Sequence, residues 1–336
     1  GMNLVGRFGK GESVWLGFFL YDVLNKFAGV ADQQVDAETA KKYRAAAVTL
    51  KANLEKHGWD NGHYARAYAD DGQKVDFNDA IVQSWAVLSG AASDDHAVAA
   101  VASAVHDLYD PDAKTILLFD KVLDKESWGG SLAAYPNGLR ENNAQYTHGS
   151  SWLPRAVAKL GDGDWAMKLL PAMLPTQPAS DPRYGAEPNV VAADIYGGSK
   201  KGEGGWTWYS GGPGWIYRTG IELILGLQFK DANKLFIDPC IPKSWPSFEV
   251  AHQQGASRYT IEVKNPEGIS KGVKQIRVDG VLIDAAAGVQ LVDDGKDHRI
   301  EVVMGQVAGT KPFSLAPALA VLAAKNPAAG AAQRPG

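Results

Sequence analysis

Trp15-Leu-Gly-Phe-Phe-Leu20-Tyr-Asp-Val23-Leu-Asn-Lys-Phe27 decides the first part of the fold. Leu16, Leu20, Val23 and Phe27 recur at intervals of four, three and four residues, which lines them along one face of a helix. The spacing returns in Tyr43, Ala47, Leu50 and Leu54, in Ile81, Trp85, Leu88 and Ala92, and in Val98, Val101, Val105 and Leu108. Shorter helices are expected at 151–160 and 164–173, and a longer one at 214–227. About seven helices in antiparallel succession result, with long loops at 59–75, 123–146 and 175–212. Structureless loops of that length are uncommon inside a compact domain and tend to be functional.

After Gly226 the apolar period changes to two: Tyr259, Ile261 and Val263 alternate with polar residues, and Ile276 and Val278 do the same. Asp279-Gly280 then stands before Val281 and Ile283, a strong signal for a tight hairpin. The expected organisation is a helical domain over 1–233, a small antiparallel β domain over 234–304, and an Ala/Pro/Gly-rich, mobile tail over 305–336. The fold class is therefore mainly α with a C-terminal β domain.

A chain of 336 residues can bury a sizeable core. Its net charge of -4 gives no electrostatic reason to expect a nucleic-acid partner. The lone Cys240 excludes an intrachain disulfide framework and fits a reducing compartment. No apolar run reaches the length expected of a membrane span, and the first residues lack a signal peptide's pattern. These features suggest a cytoplasmic chain, either free or as part of a parent anchored in an inner membrane.

Two dense runs carry the chemistry: Glu141-Asn-Asn-Ala-Gln-Tyr-Thr-His148-Gly-Ser-Ser-Trp152 and Gly204-Gly-Trp-Thr-Trp-Tyr-Ser210-Gly-Gly-Pro-Gly-Trp215. Aromatic faces suit the C–H side of a pyranose, while amides and carboxylates suit its hydroxyls; a packed core would not mix so many polar groups with tryptophan. The competing reading is a pair of Gly/Trp-rich loops clamping helix ends. His148 and Ser210-Gly211 each fall just before an expected helix, where exposed N–H groups and the positive dipole end favour an anion. No Cys/His cluster has metal-ligand spacing, so no metal or organic cofactor is expected.

Several segments together are similar to glycoside hydrolase family 94, the inverting β-glycoside phosphorylases. They are Trp15–Leu20, Arg66-Ala-Tyr-Ala-Asp-Asp-Gly72, Gln83-Ser-Trp85, Glu141–His148, Glu187–Asp194 and Trp206–Gly211. The similarity runs from Gly1 to about Met304 and is nearest to the phosphorylase region of the cyclic β-1,2-glucan synthases. It implies part of an (α/α)6 barrel followed by a small β domain. It also implies β-glucan oligosaccharide and inorganic phosphate as partners, the phosphate serving as co-substrate.

By position, the resemblance implies phosphate contacts at His148, Ser210 and Gly211, and sugar contacts at Glu141, with Asn142 and Gln145 in the same run. Arg66 and Asp70 are further sugar candidates, or else brace their loop; Trp206 and Tyr209 are candidate stacking platforms. Glu187 and Asp194 are expected to hold a loop. The opening Gly-Met-Asn resembles the residues just after the family's Asp-Trp-Asn-Asp run, which puts the general acid upstream of Gly1. In a phosphorylase the phosphate is already the nucleophile, so one acid and one anion site suffice. Without the acid a loss of about 10²–10⁴-fold is expected. The readings left open are a catalytic-domain portion inactive alone or completed by its upstream part, a self-associating or partner-binding carbohydrate-binding remnant, and an inverting hydrolase on a related toroid.

Overall fold

The computed structural model describes residues 4–124, 130–175, 181–187, 189–310 and 312–325. The chain divides into two compact units: Gly1–Ala156 with Pro171–Pro213 and Leu315–Gly336, and Val157–Leu170 with Gly214–Ser314. The expected boundary near residue 233 thus falls earlier, at 213/214, and the second unit also takes in 157–170.

The first unit contains α1 (Val14–Gln33), α2 (Ala37–Asn53), α3 (Ala80–Ser89) and α4 (Asp94–Leu108). Each starts where the sequence supplies a cap or an acidic first turn. Ser13 accepts from Leu16 N, Asp36 from Thr39 N and Asp79 from Ile81 N, while α4 begins with Asp94 and Asp95. Gly90 ends α3 in the left-handed conformation at φ 78°. α1 packs on α2 and α3, and α3 packs on α4.

Periodicity located α1 but misjudged its inner face. Val14, Phe18, Ala28 and Ala31 are buried, whereas Leu16, Leu20 and Phe27 are 49%, 48% and 56% exposed. α1 is also long and apolar enough to cross a membrane, contrary to the expectation that no segment is, although here it packs on its neighbours. The expected mobile tail is partly helical as well. Ala316–Lys325 forms a helix that packs on α4, and the preceding Leu315 is fully buried. Burial of Leu315 and packing on α4 hold this segment, where overall composition gave no sign of it. The stretch 326–336 and the opening Gly-Met-Asn lie outside the described residues.

In the second unit, a five-stranded sheet has the order 247–254, 257–264, 297–304, 273–278, 281–283. Tyr259, Ile261, Val263, Ile300, Val302 and Met304 form its buried face. The expected hairpin is present: Val278 pairs with Val281 across Asp279 and Gly280, both at positive φ. The sheet is mixed, not antiparallel, because Arg258–Lys264 pairs in parallel with Asp297–Val303. Alternation of apolar residues reports burial but carries no strand direction. A second, three-stranded sheet joins 227–230, 234–237 and 289–290. Cys240 is buried, and burial pushes its thiol up to about 12.

Candidate functional site

The two dense sequence runs meet in the first unit through a small sheet of Gln145–Tyr146, Asp194–Ile195 and Gly204–Gly205. Tyr146 and Gly205 both lie opposite Asp194. Thr147 N–H donates to Ala193 O, and Ala193 N–H donates to Trp206 O, so the hydrogen bonding continues past the strands. The first run then enters a short helix, Thr147–Ser150, and the second enters the helix Gly211–Arg218.

At the exit of this sheet, His148 and Gly211 touch. A Cβ on Gly211 would stand 2.8 Å from His148 Nδ1 and 2.9 Å from Cε1, closer than side-chain atoms pack. Only glycine lets that helix start approach the imidazole so closely. The imidazole is held edge-on against Trp152 at 5.3 Å between ring centroids and stacked with Tyr146 at 6.5 Å. Burial lowers the His148 pKa, so its neutral form is favoured. Sixty-two positions separate His148 from Ser210 in sequence; the sheet brings the two loops together.

Beside the imidazole lies a charged cluster. The Arg140 guanidinium sits 4.2 Å from the Trp206 ring centroid and 5.3 Å from that of Tyr146. Its Nη1 is 3.7 Å from Asp194 Oδ1, while its backbone N–H donates to Asp194 Oδ2 at 3.3 Å. Asp194 is fully buried. Burial, with a smaller push from Glu141 and opposed by Arg140, raises its carboxyl to about 6. Arg140 Nε and Nη1, Glu141 Oε2 and Asp194 Oδ1 are all buried without a hydrogen bond. Each such group costs about 1–3 kcal/mol when left so. Backbone strain gathers at the same place: Arg140, Asn143, Trp206 and Trp208 all have φ between 43° and 69°.

Trp206 and Tyr209 are 53% and 57% exposed, placed as open aromatic surfaces rather than core. Trp208 is 75% exposed, and its indole N–H donates to Glu187 Oε1 at 3.4 Å. Glu141 lies within the charged cluster.

The remaining sugar candidates are spent on the fold. Asn142 is buried, with its amide bound to Leu123 N, Leu123 O and Tyr135 O. Gln145, also buried, accepts from Ile116 N and donates to Thr147 Oγ1. Arg66 Nε lies 2.7 Å from the buried Asp79, and Asp70 accepts from the N–H groups of Phe8, Lys10 and Gly11. All four therefore serve as braces, because their polar atoms already have partners within the chain. The sequence reading did not single out Arg140 or Tyr146. Arg140 stood one residue before the run that opened at Glu141, and Tyr146 stood inside it unassigned. Asp194 was expected only to hold a loop. A cavity lined by Glu12, Leu50, His57 and Tyr68 shares no lining residue with this cluster.

The chain is 36% identical over 304 residues to the cyclic beta-(1,2)-glucan synthase NdvB of Rhizobium meliloti (strain 1021), covering 87% of this chain and 11% of that protein. It is 31% identical to N,N'-diacetylchitobiose phosphorylase of Vibrio furnissii, covering 88% of this chain and 38% of the enzyme. It is 29% identical to solabiose phosphorylase of Paenibacillus borealis, covering 90% of this chain and 40% of the enzyme. The chain thus spans about two fifths of the phosphorylases it matches, and about a tenth of the synthase. With residues 1–226 matching the model of the glycosyl hydrolase 94 superfamily, catalytic domain, the chain belongs to that superfamily.

Proposed function

We propose that this chain supplies the phosphate-holding and sugar-holding part of a glycoside phosphorylase site, acting on β-1,2-glucan or a related β-glucan with inversion and release of α-glucose 1-phosphate. The observation that carries the reading is the contact between Gly211 and the His148 imidazole. It sets an imidazole N beside the first turn of a helix, with the Ser210 residue adjoining. Helix-start N–H groups and an imidazole suit inorganic phosphate as the co-substrate. The exposed Trp206 and Tyr209 with Glu141 suit the sugar it attacks. On this reading α1–α4 are part of an (α/α)6 toroid.

The test is phosphate binding to the chain by calorimetry. His148→Ala and Ser210→Ala are each expected to weaken binding, and the double variant to show non-additive loss, as residues sharing one ligand do. Phosphate binding untouched by either change, or strictly additive losses, sinks the reading. The chain alone, incubated with β-1,2-linked glucose oligomers and phosphate, is expected to release no glucose 1-phosphate at ordinary enzyme rates.

A further inference from the structure

A cavity of about 470 Å³ opens where the start of α1 meets the end of α2, and it shares no lining residue with the His148 cluster. That is the size of a small-molecule site. Local backbone shapes it. The end of α2 widens into a π-type turn at Leu54–Gly58, a departure often found at functional sites. Gly17 and Gly58, both in the lining, let the two segments approach closely: a Cβ on Gly17 would stand 2.8 Å from Leu54 Cδ2, and one on Gly58 3.3 Å from Val14 Cγ1.

The lining has two characters. Val14, Leu50 and Leu54 give an aliphatic wall, and Glu12, Asn53 and His57 give an exposed polar rim. The Glu12 carboxylate, the Asn53 amide and the His57 ring have no hydrogen bond or ion pair among the described residues. Other polar groups at the cavity are already used. The Tyr68 hydroxyl donates to His57 O, Val14 N–H donates to Arg66 O at 3.3 Å, and Leu16 N–H donates to Ser13 Oγ at 3.4 Å.

The open groups select a ligand by exclusion. An anion would meet Glu12 with no lysine or arginine in the lining, and nearby Arg66 is committed to Asp79. A sugar would set hydroxyls against the aliphatic wall, where they find no partner. A bare metal ion would find a single carboxylate, and no group of three ligating His, Cys, Asp or Glu side chains occurs among the described residues. A primary ammonium on an aliphatic stem fits both characters. It carries three N–H donors for the rim acceptors, and its methylenes can lie along Leu50 and Leu54. The C-terminal end of the helical run 37–58 adds partial negative charge on the same side.

We propose that this cavity binds a small primary aliphatic amine, with the ammonium on Glu12 and the stem against Leu50 and Leu54. The experiment titrates the whole chain with n-hexylamine, 1-hexanol and hexanoate by saturation-transfer NMR, beside thermal unfolding. Hexylamine should bind about tenfold more tightly than 1-hexanol, the order of one hydrogen bond to a charged group, and hexanoate more weakly than either. Glu12→Gln should bring the amine down to the level of the alcohol and leave the alcohol unchanged. Leu50→Lys, which supplies a stem and an ammonium from the chain itself, should abolish amine binding at an unchanged melting temperature, since lysine suits a helix. His148→Ala should leave amine binding as it was, which separates this cavity from the phosphate reading. Equal affinity for amine and alcohol, or amine binding untouched by Glu12→Gln and Leu50→Lys, overturns the proposal; the second result would place the probe on the exposed Leu16, Leu20 and Phe27 instead. Tighter binding of Nα-acetyl-lysine amide than of hexylamine would assign the cavity to a lysine of a polypeptide and overturn the small-amine assignment.

Discussion

Gly211→Ala is the smallest change that probes the junction of the two loops. The added Cβ would stand 2.8 Å from His148 Nδ1, against an ordinary contact of about 3.5 Å or more, so the imidazole or the helix start must yield by roughly 0.7 Å. The imidazole has little freedom, with Trp152 edge-on at 5.3 Å and Tyr146 stacked at 6.5 Å. A displacement of that size removes a hydrogen bond to phosphate, worth about 1.5–3 kcal/mol when one partner is charged, or roughly ten- to a hundredfold in affinity. Overpacking costs about 1–3 kcal/mol of stability, small against a whole domain. The variant should therefore stay folded while losing the anion. Two neighbours serve as controls. A Cβ on Gly212 meets Thr147 Cγ2 at 3.4 Å, an ordinary contact, and one on Gly214 meets nothing within 4 Å. Phosphate affinity by calorimetry, beside thermal unfolding, gives the comparison. If Gly211→Ala binds phosphate as tightly as Gly214→Ala does, the imidazole and the helix start do not share a ligand.

Four further outcomes follow from the same geometry. Arg66→Met leaves the buried Asp79 without its cation and should cost about 3–5 kcal/mol, read by urea unfolding; a loss below 1 kcal/mol would show the pair to be dispensable. Leu315→Ala should cost about 2–4 kcal/mol, and at about 2–4 °C per kcal/mol lower the melting temperature by several degrees, whereas an unchanged melting temperature would mean that the terminal helix is not anchored. The exposed Leu16, Leu20 and Phe27 should make the chain bind an apolar dye or self-associate, and Leu16→Lys with Leu20→Lys should suppress this in light scattering. Because burial lowers the His148 pKa from 6.5, stability from this group should be full above that value and decline as pH falls through it. His148→Gln should flatten the unfolding free energy as pH falls below about 6.5; an unchanged slope would assign the effect elsewhere.

Much of the helical framework was legible because it is a local property. Apolar spacing alone locates α1 to α4, and Asp279-Gly280 marks its hairpin because only a few residue pairs tolerate two positive φ values in succession. The family, too, was written in short motifs. Spacing could not say which apolar stripe faces inward. On α1, Leu16, Leu20 and Phe27 repeat as regularly as Val14 and Phe18, and only the positions of α2 and α3 select between the two faces. The parallel pairing of 258–264 with 297–303 was hidden for a related reason: a strand's pattern is the same read in either direction.

The site divides along the same line. The residue types in the two runs announced a polar, aromatic-rich surface, since no core would carry that mixture. Which of them face a ligand depended on partners far away in sequence. Asn142 and Gln145 looked like sugar amides until Leu123, Tyr135 and Ile116 proved to occupy them, and Asp70 until the 8–11 segment did. Arg140 and Asp194, fifty-four positions apart, became neighbours only when a strand pairing brought their segments together. The sequence by itself determined the inventory of donors, acceptors and rings. Tertiary structure decided which were consumed by the fold and which were left open, because hydrogen-bond satisfaction is a property of neighbours in space and not of neighbours in the chain.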